Sequence, residues 1–366
     1  MRTVKVENFG PIKSANVELG NLTILIGAQA TGKSLFLELL KLMADKRHIV
    51  STLKKYNYVI EGNPANLLNL YFGEGMSGAW TDETKVFIDK QEATIETNLP
   101  EAESEKIFYI PAQRILSISD GRPKNFMEFD LSTPYVLRHF SETLRMFMPR
   151  LEQHIPLGHS IFHGGTVYVD TRTGQRKMRM KIDGMDIPFM TWSAGQKEST
   201  PLLMGIANLW NTPQTPIGKD TYKYVVVEEP EMGLHPQAIK FVLFQLLDLI
   251  YLGYQIILST HSPSFLEFAW SIRRLQESEA PIEKRQQALE ELFSETESPH
   301  KRFIAQTILG KQIKTHYFKH KEDGKVYSED ISSLDVFNDN VDISEWGGLS
   351  EFATKTSELV SRFSNE

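Results

Sequence analysis

Gly27-Ala28-Gln29-Ala30-Thr31-Gly32-Lys33-Ser34 follows a β-rich run, Ala15–Ile26, and precedes Leu35, Phe36, Leu39, Leu40 and Met43, which fall at helical spacing. A glycine loop set between a strand and a helix is the context a phosphate site needs. The stretch matches G-x-x-x-x-G-K-[ST] in full. Its glycines let backbone N–H groups wrap a β-phosphate at a helix N-terminus, where the exposed donors and the helix dipole favour negative charge. Lys33 then reaches β- and γ-phosphate oxygens, and the Ser34 hydroxyl coordinates Mg²⁺. Residues Gly27 to Ser34 are therefore the expected ATP-binding loop, within an α/β fold whose core is a P-loop NTPase: a mixed sheet flanked by helices.

Three further strand ends extend this chemistry. Tyr222–Glu228 is a continuous apolar run, as expected for a parallel strand buried on both faces, and it ends in Glu228-Glu229-Pro230. Side chains alternate along a strand, so the two carboxylates face opposite ways and can do different jobs. Glu228 is expected on the Mg²⁺ side, and Glu229 is expected to orient or deprotonate an attacking water. Two solvated acids are the bland reading, which an apolar strand beside a phosphate loop disfavours. Gln237–Leu252 reads as a helix returning to the next buried strand, Gln255–Ser259, and this is a right-handed crossover unit. His261 closes that strand, where it can sense a γ-phosphate, and Ser262-Pro263 reads as an N-cap with proline at the first helical position. Gln113, after the apolar Lys106–Ile110 strand, can complete the Mg²⁺ and water shell. Arg114 beside it either contacts phosphate or pairs with an acid.

Trp192-Ser193-Ala194-Gly195-Gln196 has two readings that are compatible. S-x-x-Q is a capping box at the start of a helix running to about Trp210. A capped helix start with an exposed hydroxyl also receives a γ-phosphate well, and Gly195 permits close approach. Ser193, Gly195 and Gln196 are thus expected nucleotide-binding residues, alongside the phosphate loop.

Composition bounds the rest. With 366 residues, a net charge of −7 and no cysteine, the chain can build a large core, has no disulfide or thiolate metal site, and has no broadly basic surface. The N-terminal Met1-Arg2-Thr3-Val4-Lys5-Val6 lacks a signal-peptide core, and no run approaches the ~18 apolar residues of a membrane span. A cytoplasmic, non-membrane address is the default expectation. Arg176, Lys177, Arg179 and Lys181, on the second strand of a hairpin over Thr166–Ile182, are the best local candidates for nucleic-acid backbone contact. A solvated hairpin face explains them more simply, because no aromatic stacking platform accompanies the charge. His154, His159 and His163 lack the flanking ligands of a zinc pattern.

The organisation expected is a core beginning in residues 1–45, an inserted lobe and helical arm over 46–165 from which the Gln113 segment returns, a second core part over 166–330, and a tail over 331–366. Ser132–Gln153 reads as a helix. The region after Pro263 reads as charged helix, then strand-like pieces near Lys314–Lys319 and Lys325–Tyr327, with a last helix over Leu349 to Phe363.

Taken in order, these segments resemble the ABC-type ATPase superfamily, and within it the branch of OLD-family, RecF-like and SMC-like proteins. The Val6-Glu7-Asn8-Phe9-Gly10-Pro11-Ile12-Lys13 opening and the Glu229-Pro230-Glu231-Met232-Gly233-Leu234-His235-Pro236 run look like that branch, and not like transporter subunits. The resemblance implies a head-to-tail dimer with two ATP molecules, each held between the glycine loop of one chain and Ser193–Gln196 of the other. Glu228 stands where the family usually has aspartate, which points to slow hydrolysis or a long-lived ATP-bound dimer; Trp192 stands where leucine is common. No metal-nuclease constellation follows His261, so the chain is similar to the standalone ATPases of antiphage systems such as PARIS or Septu, in which a separate effector is held or released in trans. The alternative from another class is a DNA repair or DNA-clamping ATPase.

Overall fold

A computed structural model describes residues 1–60, 62–97, 99–100, 104–151, 161–172, 174–210, 222–293 and 300–364. The chain opens with the hairpin β1 (Thr3–Phe9) and β2 (Ile12–Glu18), followed by β3 (Leu22–Gly27), the glycine loop and helix α1 (Lys33–Lys55). Helix α2 (Pro64–Phe72), β4 (Trp80–Ile88), β5 (Gln91–Glu92) and β6 (Ile107–Ile110) come next. A small ribbon, β7 (Ile118–Ser119) and β8 (Arg122–Pro123), leads to α3 (Tyr135–Leu151). Then come β9 (Thr166–Asp170), β10 (Lys177–Ile182), β11 (Met185–Pro188) and α4 (Ala194–Leu209). The crossover β12 (Tyr224–Glu228), α5 (Pro236–Tyr251) and β13 (Gln255–Ser259) precedes α6 (Pro263–Glu277), α7 (Ile282–Leu292) and α8 (Lys301–Ile308). The chain finishes with β14 (Ile313–His320), β15 (Val326–Asp330), α9 (Val341–Ser344) and α10 (Glu351–Ser364).

Ten strands form one sheet in the order β5-β4-β1-β2-β15-β14-β3-β13-β12-β6. The half from β14 to β6 is parallel throughout, whereas the β1, β2, β4 and β5 half is antiparallel. This is the expected mixed sheet flanked by helices. The parallel strands are buried on both faces, and alternation divides their side chains between two apolar clusters. Ile24, Ile26, Val225, Val227, Ile256 and Leu258 face α4, α5 and α6; Leu25, Tyr224, Val226 and Ile257 face α1 and α2. Burying each face of so apolar a run is what keeps the layers together.

Residues 46–165 interleave with the sheet at both ends: β4 pairs with β1, and β6 forms the opposite edge against β12. The strand-like pieces after Gly310 are core strands, since β14 pairs in parallel with β3 itself. The Thr166–Ile182 hairpin gains a third strand, β11, as a separate small sheet. Its expected turn residue Thr173 lies outside the described residues, as do Glu152 and Gln153 at the end of the expected 132–153 helix.

Two buried charges on α1 fix the edge strand. Asp45 accepts the backbone N–H groups of Lys106 and Ile107, at 2.8 and 2.9 Å, and pairs with Lys41 at 2.7 Å. Lys41 also pairs with Glu105 and donates to the Ile107 carbonyl. The helix that starts at the glycine loop therefore holds the strand that leads to Gln113.

Candidate functional site

The loop after β3 departs from ordinary backbone: Gly27, Ala30 and Gly32 have φ of 150°, 61° and 75°. Glycine is required at the first of these for a second reason, because a Cβ there would stand 2.3 Å from the Phe318 carbonyl oxygen of β14. Ala28, Gln29, Ala30 and Ser34 are exposed. Lys33 is buried and folded over its own loop, donating to the Gly27 and Ala28 carbonyls at 2.8 and 2.9 Å. Burial lowers the Lys33 ammonium to about 8, against the pull of Glu229, Glu231 and Glu228.

Glu228 ends β12 on the α1 side and is almost fully buried. Burial raises its carboxyl above the usual range, while hydrogen bonds from Tyr109 and Ser34 oppose the shift and Glu229 adds to it. On the same side Glu38 of α1 is pushed well above its ordinary value, by burial first and then by Glu228. Sequence reading singled out neither Tyr109 nor Glu38. Ser34, Glu228 and their oxygen-rich surroundings suit a hard cation such as Mg²⁺.

Glu229 turns the other way at a φ of 41°, with its side chain 3.6 Å from His261 Nε2. Strand β13 stops at Ser259, so His261 sits in the loop beyond it. A third acid holds that loop: Glu231 Oε1 accepts from Thr260 Oγ1 and from the His261 N–H, both at 2.7 Å. Glu231 was quoted in the sequence only as part of a pattern, and its neighbours Glu228 and Glu229 drew the attention. Gln113 is exposed at the end of β6, beside the same strand ends.

Among the described residues Arg114 forms no carboxylate ion pair, one of the two roles expected of it. It is fully buried and donates to backbone carbonyls: Glu228 at 3.0 Å, Glu229 at 3.1 Å and Glu198 at 3.0 Å, with Pro111 and Ala112 more distant. Burial lowers its pKa, and Glu198, Glu231, Glu229 and Glu228 offset part of that cost. One guanidinium thus ties the Gln113 loop to the end of β12 and to the first turns of α4. A second contact closes the triangle, since a Cβ on Gly195 would stand 2.3 Å from the Gly233 carbonyl.

Ser193 caps α4 with a complete capping box: its N–H donates to Gln196 Oε1 at 2.9 Å, and its Oγ accepts from the Gln196 N–H at 3.3 Å. Ser193 is exposed, and Gln196 also reaches Met180. Among the described residues neither side chain hydrogen-bonds the loop 27–34. The basic strand β10 is largely neutralised: Lys177 pairs with Asp120, Arg179 pairs with Asp186 at 2.7 Å, and Lys181 lies over the Tyr168 ring. His163 is exposed, while His154 and His159 lie outside the described residues. No described helix is long and apolar enough to cross a membrane.

Two family models match parts of the chain: "AAA ATPase domain" over residues 1–110, and "AAA domain, putative AbiEii toxin, Type IV TA system" over residues 206–267. No curated protein matches the sequence. Similar solved structures include the SmcHead bound to the C-winged helix domain of ScpA, at 10% identity over 90% of this chain and 96% of that one, with a TM-score of 0.43. The SMC head domain from Thermotoga maritima is 12% identical over 90% and 99%, with a TM-score of 0.38. A dimeric ATP-binding cassette in a post-hydrolysis state, bound to ADP and Pi, is 13% identical over 71% and 89%, with a TM-score of 0.33. Residues 1–110 and 206–267 are thus similar to AAA-type ATPase domains.

Replacing Arg114 by leucine removes the guanidinium's hydrogen bonds to the carbonyls of Glu228, Glu229 and Glu198. The expected loss is about 2–4 kcal/mol, given ~1 kcal/mol net for each of the three hydrogen bonds removed. Urea unfolding reads it, and a loss below about 1 kcal/mol would remove Arg114 from its place as the link.

Proposed function

We propose that the chain binds and hydrolyses Mg²⁺–ATP, closes head-to-tail on a second copy around the nucleotide, and uses that closure as a switch on a separate effector, in a defence or toxin-like setting. One observation carries the reading. The groups expected to handle a nucleotide converge at the strand ends, yet the exposed Ser193 cap makes no hydrogen bond with the loop 27–34 of its own chain. In a pair of chains it faces outward to complete the partner's site.

Lys33 and the loop N–H groups would hold the phosphates. Mg²⁺, when bound, neutralises phosphate charge, and Ser34, Glu228 and Gln113 are the residues that would hold it. Glu229 accepts a proton from water and His261 steadies the outermost phosphate, each held by its neighbour. Glu228 is one methylene longer than aspartate and enclosed by Tyr109 and Glu38. This crowding favours a slow cycle and a persistent ATP-bound pair.

The described residues after His261 include elements that serve the ATPase core. Helices α6 and α8 pack into the ATPase core, and β14 and β15 belong to its sheet. The matched description of a Type IV TA system fits a chain acting with another component. A DNA clamp needs exposed cations, whereas those of β10 have carboxylate or aromatic partners. Salt-sensitive duplex binding by the ATP-bound chain would put the clamp first.

Lys33→Ala is expected to weaken ATP binding about 10- to 100-fold, the worth of a lost charge-assisted contact. Glu229→Gln should keep the affinity and lower turnover by about 100-fold or more. Calorimetry and phosphate release read the two, and unchanged values in both variants would sink the assignment. The free lysine loses its proton as pH rises through about 8, whereas phosphate holds it charged, so ATP affinity should fall above that pH with proton uptake on binding. Titration calorimetry in buffers of different ionisation heat measures the uptake, and a pH-independent affinity without it would contradict this role.

A further inference from the structure

The described residues include one cluster of metal-ligating groups that the nucleotide chemistry does not use. His48 lies on α1, Glu105 just before β6, and His139 on α3, and their ligand atoms lie within 4.8 Å of one another. His139 Nε2 is 3.2 Å from Glu105 Oε2 and 3.1 Å from Oε1, and His48 Nε2 is 3.6 Å from Oε2. Ligands on a tetrahedron about 2.05 Å from its centre stand about 3.3 Å apart, and the two histidine–carboxylate separations are close to that. We propose that His48, Glu105 and His139 bind a divalent transition-metal ion, Zn²⁺ by preference, with a fourth position open to water.

The surroundings are those of a site already prepared for a cation. The His48 Nε2 atom is buried and has no hydrogen-bond partner among the described residues. Burial keeps the His48 imidazole below its ordinary pKa. Although burial opposes it, the Lys41 ammonium holds the Glu105 carboxyl well below its usual range. Lys41 takes the other carboxylate oxygen, as outer partners of a ligating carboxylate do. Tyr135 stacks on the His139 ring at 5.2 Å and 11°, which fixes its plane. The histidines are 26% and 19% exposed, so an ion has a way in.

Imidazole and carboxylate together suit zinc, cobalt and nickel better than magnesium, which prefers oxygen alone. The bound ion would join the phosphate-loop helix, the strand leading to Gln113 and α3. It is a fastening separate from the nucleotide site.

The test uses the full chain, stripped of metal by a chelator and dialysed, without nucleotide. Zn²⁺ should raise its melting temperature, saturating at one equivalent, and Co²⁺ should give the visible bands of a four-coordinate site, while Mg²⁺ does neither. His48→Gln, which removes an atom with no hydrogen-bond partner, should leave the metal-free melting temperature unchanged and abolish both responses; His139→Gln should abolish them too. No response in the unmodified chain, or an equal response in His48→Gln, overturns the site.

Discussion

Parallel strands covered on both faces have nowhere to place polar chemistry except at their ends, and the molecule follows from that constraint. Strands β3, β13, β12 and β6 run side by side in one direction, with Glu228 opposite Ser259 and Ser259 opposite Leu25. Their carboxyl ends therefore reach one rim together. Gly27, Glu228, His261 and Gln113 arrive there from four separate stretches of sequence. The rim gathers carboxylates and backbone carbonyls, and few side chains counter them. Arg114 does so from beneath, holding the carbonyls of Glu228 and Glu229 while reaching Glu198 on α4.

That single residue gives the site a mechanical logic. Any shift of β12 or its two glutamates is passed through Arg114 to the capped start of α4, where Gly195 already touches the turn at Gly233. The Ser193 cap and the carboxylate end of the strand are thus parts of one body. A nucleotide bound at the rim would set the posture of the Ser193 cap. The charge state points the same way: Lys33 rests on its own loop carbonyls and must leave them to meet a phosphate, and Glu228 and Glu38 sit where a cation would relieve them.

What the sequence made legible is what depends on neighbours along the chain. The glycine loop, the box formed by Ser193 and Gln196, the cap at Ser262 and the apolar run before Glu228 all have local causes, and each appears at or within two residues of its expected place. What it hid depends on crossings. A parallel pair leaves no local mark, so nothing announced that β14 would lie against β3 or that β4 would join β1. Arg114 was visible, but its carbonyl partners lie on segments about a hundred residues away and carry no side-chain signal. Glu231 looked like one acid among several until its bonds to Thr260 and His261 appeared. His48, Glu105 and His139 have no metal-like spacing, because three different elements bring them together.

The central claim is that Ser193–Gln196 of one chain completes the phosphate site of another, and mixing two disabled chains tests it most directly. One carries Lys33→Ala and Glu229→Gln, the other Ser193→Arg and Glu229→Gln, so neither can close a site with its own kind. The mass of each species is measured with Mg²⁺ and ATP. Monomers from each chain alone and an ATP-dependent heterodimer from the mixture are predicted, since the pair regains one intact site. A mixture that stays monomeric while chains carrying only Glu229→Gln dimerise, or Ser193→Arg chains that dimerise alone with ATP, would contradict the account.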